Sequence, residues 1–174
     1  IYYEGQKKQL NNTIYFLGIG GIGMSALARY FLHLDNKVHG YDLTSTPLTL
    51  KLENEGMVIH YNEDVQAIPA ETDFAVYTPA IPAQNLELTF LKDQNIPLYK
   101  RAEVTGFLSK EYFTVAIAGT HGKTSISALT AHILKSGNKN ITALIGGIDN
   151  QAKTNFFTSS KTDIFLIEAD EFDR

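Results

Sequence analysis

The sequence contains no cysteine. That excludes disulfides, a cysteine nucleophile and thiolate metal sites, and it fits a reducing compartment. It also lacks any long basic run. Its 15 Lys and Arg are outnumbered by 19 Asp and Glu, giving a net charge of −4, so nucleic acid is not an expected partner. No internal repeat and no low-complexity segment stands out. One stretch mimics a secretory leader, residues 10–28 behind Lys7 and Lys8. It holds Gly18, Gly20, Gly21 and Gly23, and glycine so dense makes a poor membrane helix. No membrane insertion is expected, and the expected compartment is the cytoplasm. What remains is ordinary for a globular chain: 174 residues, 44% hydrophobic and 20% charged, enough for one large domain or two small ones. The chain begins at Ile1 and stops at Arg174 within a charged cluster, so both ends read as edges of a fragment.

Strand and helix signals alternate along the chain. Ile14-Tyr15-Phe16-Leu17 is a short apolar run ending at glycine, the pattern of a strand buried on both faces. Helix is predicted over 25–34, strand over 38–41, helix over 49–55 and strand over 57–61. Strand over 73–77, helix over 86–94 and strand over 96–99 follow. This order implies a parallel, doubly wound sheet. A connecting helix over 102–110 marks a domain boundary. A second unit then starts with a strand over 112–118 and a helix over 123–135, in which Ile126, Leu129, Ile133 and Leu134 share one face. Two more strands are predicted over 141–145 and 163–167. The fold class is α/β: a Rossmann-like parallel sheet domain followed by the start of a P-loop ATPase α/β domain.

Three constellations carry chemistry. Gly18-Ile19-Gly20-Gly21-Ile22-Gly23 reads G-x-G-x-x-G between a strand and a helix. The first glycine permits the tight turn, the second lets backbone approach a pyrophosphate, and the third lets helix and strand pack closely. The helix N-terminus then offers N–H groups and partial positive charge to phosphates. Asp42 ends the next strand, where it either reads a ribose hydroxyl or is a turn residue. Gly119-Thr120-His121-Gly122-Lys123-Thr124-Ser125 is the second, again between strand and helix. Its Gly-Lys-Thr is the working end of a P-loop: backbone cradles phosphates, lysine reaches them and threonine binds Mg²⁺. The usual first glycine of that pattern would fall at Ile117, so this is a variant loop. His121 either faces solvent or neighbours the phosphates. Third, Glu168, Asp170, Glu171 and Asp173 crowd the end of an apolar strand. They form a solvated acidic turn or a cation site, and beside a P-loop Glu168 is the favoured metal ligand.

Together with Gly40-Tyr41-Asp42 and Lys100-Arg101-Ala102-Glu103, these segments resemble the Mur ligase family, in order over about residues 14–173. They are similar to the members that add L-alanine to UDP-N-acetylmuramate. The G-T-x-G-K-[ST] loop of that family also accounts for Ile117. The resemblance implies an ATP-dependent, Mg²⁺-requiring ligase of peptidoglycan precursor synthesis with three domains. Residues 1–106 would bind the UDP-sugar and 107–174 would be a truncated ATP-binding domain. The amino-acid-binding third domain would be absent, leaving the fragment inactive alone. By the same resemblance, Gly18, Gly20, Gly21, Ile22 and Gly23 grip the UDP diphosphate, with Asp42 at the matching strand end. Thr78, Ala80 and Ile81 line the same cleft, with Thr78-Pro79 where the family often has two serines, and Arg101 joins them. Gly119 to Ser125 hold ATP, Thr124 and Glu168 hold Mg²⁺, and Lys123, Thr124, His121 and Glu168 are the catalytic set. No residue stands out as base for the amine. That group is expected beyond Arg174. Three other readings remain: a ligase adding a whole peptide to the same sugar nucleotide, an NAD-dependent oxidoreductase built on the first loop, and a non-catalytic nucleotide-binding module. The P-loop argues against the oxidoreductase, because hydride transfer has no use for one.

Overall fold

A computed structural model describes residues 11–148 and 153–169. The chain divides into two compact units, Ile1–Val104 and Thr105–Arg174.

The first unit contains β1 (Thr13–Leu17), α1 (Ile22–His33), β2 (Lys37–Tyr41), α2 (Pro47–Asn54), β3 (Val58–His60), β4 (Thr72–Tyr77), α3 (Leu86–Asp93) and β5 (Leu98–Lys100). Its strands form one sheet in the order β3-β2-β1-β4-β5, with every pairing parallel. All five residues of β1 are buried, which is why its sequence is a continuous apolar run and not an alternating one. Tyr15, Phe16 and Leu17 are fully enclosed, each worth about 1.5–3 kcal/mol of burial. Local chemistry sets the helix starts. Thr46 caps α2 in a capping box with Thr49, and Pro47 occupies the first turn, where it lacks only an N–H that would have no partner. The side chain of Asn85 accepts the Leu88 N–H at the start of α3. Arg29 of α1, 5% exposed, forms a two-pronged ion pair with Glu55 just beyond α2, at 2.7 and 2.9 Å.

A further helix, α4 (Arg101–Ser109), spans the division. The second unit holds β6 (Phe113–Ile117), α5 (Lys123–Ser136), β7 (Ile141–Leu144), β8 (Phe156–Thr158) and β9 (Ile164–Glu168), ordered β6-β9-β7-β8. The strands β6, β9 and β7 run parallel, and their core includes Ala131, Ile141, Ala143, Ile145 and Leu166.

Two details differ from the sequence reading, and a third adds an orientation to it. α1 begins at Ile22 because the glycine loop itself makes the first turn, with the Ser25 N–H bonded to the Gly21 carbonyl at 2.8 Å. β8 is an unexpected strand and runs antiparallel to β7. The α5 face named from periodicity is largely outward: Ile126, Leu129 and Ile133 are more than half exposed, while Ser127 and Ala131 are buried. Only Leu134 of that set packs on the core. No described helix is long and apolar enough to cross a membrane.

Candidate functional site

In the first unit the sheet's strand order reverses direction at β1, which β2 and β4 flank. Ligands of doubly wound sheets bind at such a switch point, outside the carboxyl ends of the strands. The glycine loop occupies that place. Gly18 has φ +82°, a left-handed conformation, and a side chain there would also strike Thr78 Cγ2 at 2.8 Å. Gly18 and Ile19 both donate to the Tyr41 carbonyl, at 2.8 and 3.1 Å, tying the loop to the end of β2. Gly21 is the N-cap of α1 and brings no side-chain cap, so the helix start is backbone alone.

Asp42 is turned inward onto this loop. Its Oδ2 accepts the Gly20 N–H at 2.7 Å, and its Oδ1 accepts from Thr44 N at 3.3 Å. Beyond β4, residues 78–81 form a turn closed by the Ile81 N–H on the Thr78 carbonyl at 3.0 Å. Ile81 Cδ1 lies 3.5 Å from where a Gly18 Cβ would stand. Ala80 donates only a long contact to Thr78 Oγ1, 3.5 Å. Arg101, the first residue of α4, lies along Gly23, with Cδ and a terminal guanidinium nitrogen each 3.1 Å from a notional Cβ there. Gly18, Gly20, Gly21, Ile22, Gly23, Asp42, Thr78, Ala80, Ile81 and Arg101 are thus gathered at one edge of the sheet.

Behind this edge lies a buried polar cluster that no sequence motif marks. The Tyr15 hydroxyl is hydrogen-bonded to Glu87 Oε2 at 2.6 Å, and its oxygen is also 2.6 Å from His60 Nε2. Glu87 is fully buried, and its Oε1 accepts the Asp64 N–H at 2.8 Å. Burial pushes the Glu87 carboxyl above its ordinary value, against the opposing pull of its bonds to Tyr15 and Asp64. Burial and the adjacent Glu87 likewise raise the Tyr15 hydroxyl. The cluster reaches the loop through backbone, because the His60 carbonyl accepts the Asp42 N–H at 3.1 Å.

In the second unit, β6 runs into a loop with two left-handed glycines, Gly119 at φ +148° and Gly122 at φ +77°. Gly122 is the N-cap of α5, again without a side-chain cap. Lys123 folds back, its ammonium 2.6 Å from the Gly119 carbonyl. Thr124 donates to Glu168 Oε2 at 3.3 Å, bringing together two residues 44 apart in sequence. The other carboxylate oxygen accepts the Gly146 N–H at 2.9 Å, a contact the sequence did not announce. Thr120, His121 and Ser125 are exposed, and His121 Nδ1 is 3.3 Å from Thr120 Oγ1. Among the described residues no cluster of three or more His, Asp or Glu side chains could hold a metal. Asp170, Glu171 and Asp173 lie outside the described residues.

The description "Mur ligase family, catalytic domain" matches residues 13–113. The chain is 46% identical over 166 residues to the UDP-N-acetylmuramate–L-alanine ligase of Porphyromonas gingivalis, covering 92% of this chain and 36% of that protein. It is 44% identical over 170 residues to the same-named enzyme of Flavobacterium johnsoniae, covering 95% and 37%. Among solved structures, the UDP-N-acetylmuramate–alanine ligase of Thermotoga maritima superposes with a TM-score of 0.81 at 29% identity, over 90% of this chain and 37% of that one. A murein peptide ligase of Psychrobacter arcticus gives 0.82 at 26% identity, over 94% and 38%. The chain therefore spans a little over a third of the length of the curated relatives it matches.

Proposed function

The chain belongs to the Mur ligase family, and we propose that it supplies the nucleotide-binding units of an ATP-dependent ligase that joins L-alanine to UDP-N-acetylmuramate. The observation that carries this reading is the Thr124–Glu168 pair beside an uncapped helix start, in a chain whose other unit presents a second glycine loop at its switch point. Both solved ligases named above superpose about equally well, so the backbone alone does not choose between alanine and a peptide as the added group. The 44–46% identity to L-alanine ligases favours alanine.

In this reading residues 1–106 bind the UDP-sugar and residues 107–174 bind ATP. The second loop fits a magnesium nucleotide on its own chemistry. Two left-handed glycines and an uncapped helix start present backbone to phosphate. The Lys123 ammonium now rests on a carbonyl oxygen, an acceptor that a phosphate oxygen would replace. One hydroxyl and one carboxylate suit Mg²⁺, which takes few protein ligands when phosphates supply others. When bound, ATP supplies the phosphoryl group that turns the lactyl carboxylate into an acyl phosphate, and Mg²⁺ offsets the repulsion between anions. Lys123 stabilises charge building on the transferred phosphoryl oxygens. Thr124 and Glu168 would hold the cation, and His121, exposed at the loop tip, would neighbour the phosphates. The alanine amine then attacks the acyl carbon: the amide C–N bond forms, the C–O bond breaks, inorganic phosphate leaves with that electron pair, and the nitrogen gives up a proton. In the first unit Gly18, Gly20, Gly21, Ile22 and Gly23 receive the diphosphate, Arg101 adds charge, and residues 78–81 border the sugar nucleotide.

Calorimetric titration of UDP-N-acetylmuramate into the chain, with NAD⁺ in a parallel cell, tests the first unit. Binding of the sugar nucleotide, lost in Gly20→Ala, and no heat from NAD⁺ are expected. A Cβ at Gly20 would meet Asp42 Oδ2 at 2.8 Å and Thr49 Cγ2 at 2.7 Å. NAD⁺ binding without sugar-nucleotide binding would reassign the first unit to dinucleotides.

A further inference from the structure

The carboxyl ends of three adjacent strands meet at the second site. Ile117 at the end of β6 pairs with Glu168 at the end of β9, and Leu144 at the end of β7 pairs with Ile167. The P-loop leaves β6, the carboxylate ends β9, and Ile145-Gly146-Gly147 leaves β7. Neither Gly146 nor Gly147 has a left-handed backbone, unlike Gly18, Gly56, Gly119 and Gly122. Conformation therefore does not require glycine at either position. Space does. A Cβ on Gly146 would overlap the Glu168 carboxylate, with Cδ at 3.0 Å, and a Cβ on Gly147 would stand 2.5 Å from Thr124 Cγ2. The atoms that exclude a side chain belong to the two residues assigned to the cation.

We propose that Gly146 and Gly147 are positioning residues of the nucleotide–metal site, an inference that rests on the role proposed above for the second unit. The Gly146 N–H holds Glu168 Oε1 at 2.9 Å, which leaves Oε2 facing the Thr124 hydroxyl at 3.3 Å. Two successive residues without side chains let the carboxylate and the threonine approach each other across the strand ends. A side chain at Gly146 displaces the very oxygen that faces Thr124. A side chain at Gly147 pushes on the Thr124 methyl and turns its hydroxyl. Partners that orient metal ligands commonly contribute about 10–100-fold to metal affinity.

The test is a Mn²⁺ titration of the chain followed by electron paramagnetic resonance, with a non-hydrolysable ATP analogue present. Nucleotide binding in EDTA and thermal melting are measured alongside. Gly146→Ala and Gly147→Ala should each weaken Mn²⁺ binding about 10-fold or more, with metal-free nucleotide binding held within about 3-fold. Gly106→Ala is the control, because a Cβ there meets nothing within 4 Å. The methyl that obstructs Gly147→Ala is absent from serine, which keeps the hydroxyl. With the Thr124→Ser affinity measured as its own reference, adding Gly147→Ala in that background should therefore cost far less Mn²⁺ affinity than Gly147→Ala costs in the wild type, a rescue of most of the loss. That rescue stays decisive if Gly146→Ala does not fold. Wild-type affinity in both glycine variants, or no rescue in the double variant, overturns the positioning role and leaves the parent reading intact. A wild-type chain that binds neither Mn²⁺ nor nucleotide overturns both.

Discussion

At the scale of single residues, legibility followed from whether chemistry or surroundings demanded the residue. The glycine loop and Gly122-Lys123-Thr124 could be read because phosphate binding needs those residue types at fixed spacing. Gly146 and Gly147 could not, since their need arises from side chains brought in by β9 and α5. Glu87 was equally silent. An acidic residue in a helix's first turn reads as surface, yet here it is fully buried. Its partners impose proton accounting. His60 Nδ1 faces the Asn62 carbonyl at 2.8 Å, and a carbonyl only accepts, so Nδ1 carries the proton. Tyr15 then has one proton for two acceptors, Glu87 and His60 Nε2, unless Glu87 is protonated or His60 is doubly protonated. Burial raises the Glu87 carboxyl, neighbouring Glu63 adds to the rise, and Tyr15, Asp64 and His60 oppose it. The sign follows. Above its ordinary value of 4.5 the unfolded Glu87 loses its proton while the folded one keeps it, so stability falls as pH rises towards the folded value. Glu87→Gln mimics the protonated form, donating to Tyr15 while still accepting from Asp64. It should fold, and its stability relative to wild type should grow with pH across that window, by up to about 1.4 kcal/mol per pH unit. Urea denaturation from pH 4 to 8 measures this, and a difference that stays flat with pH would refute the assignment.

At the scale of elements, periodicity located nearly every helix and strand but did not say which way one apolar face points. In α5 the apolar residues Ile126, Leu129 and Ile133 are spaced as a core stripe, yet they point outward. Small residues, Ser127 and Ala131, face the sheet instead, because the helix packs closely over β7 and β9. A hydrophobic pattern reports which face is apolar, not how near the neighbouring sheet comes. β8 escaped for a different reason. It is three residues long and pairs at an antiparallel edge, leaving too short a pattern to read. The orientation of α5 has an energetic consequence. Leu129→Ala, at a position 59% exposed, should change unfolding free energy by no more than about 0.5 kcal/mol. Leu166→Ala in β9, fully buried, should cost about 2–5 kcal/mol. Equal losses in chemical denaturation would mean that the outward face is covered in solution.

At the scale of the whole molecule, the same device occurs in both units: parallel strands ending at one edge, a glycine loop there, and a helix start left uncapped by any side chain. The parallel α/β class was legible because strands buried on both faces alternate with helices. Each unit has its own buried core, one around Tyr15, Leu17 and Ala75 and the other around Ala143, Ile145 and Leu166. A ligand stabilises only the structure that must be folded to bind it, by about 2.7 kcal/mol at 100 times its dissociation constant. The two proposed ligands should therefore protect different strands. With UDP-N-acetylmuramate at that excess, backbone amides of β1 and β4 should exchange hydrogen up to about 100-fold more slowly, while those of β7 and β9 stay within about 3-fold of the free chain. ATP with Mg²⁺ should reverse the pattern. Mass-spectrometric hydrogen exchange resolves the two sets of strands. If the sugar nucleotide protected β9 as strongly as β1, the units would unfold as one body and the assignment of one ligand to each would lose its physical basis.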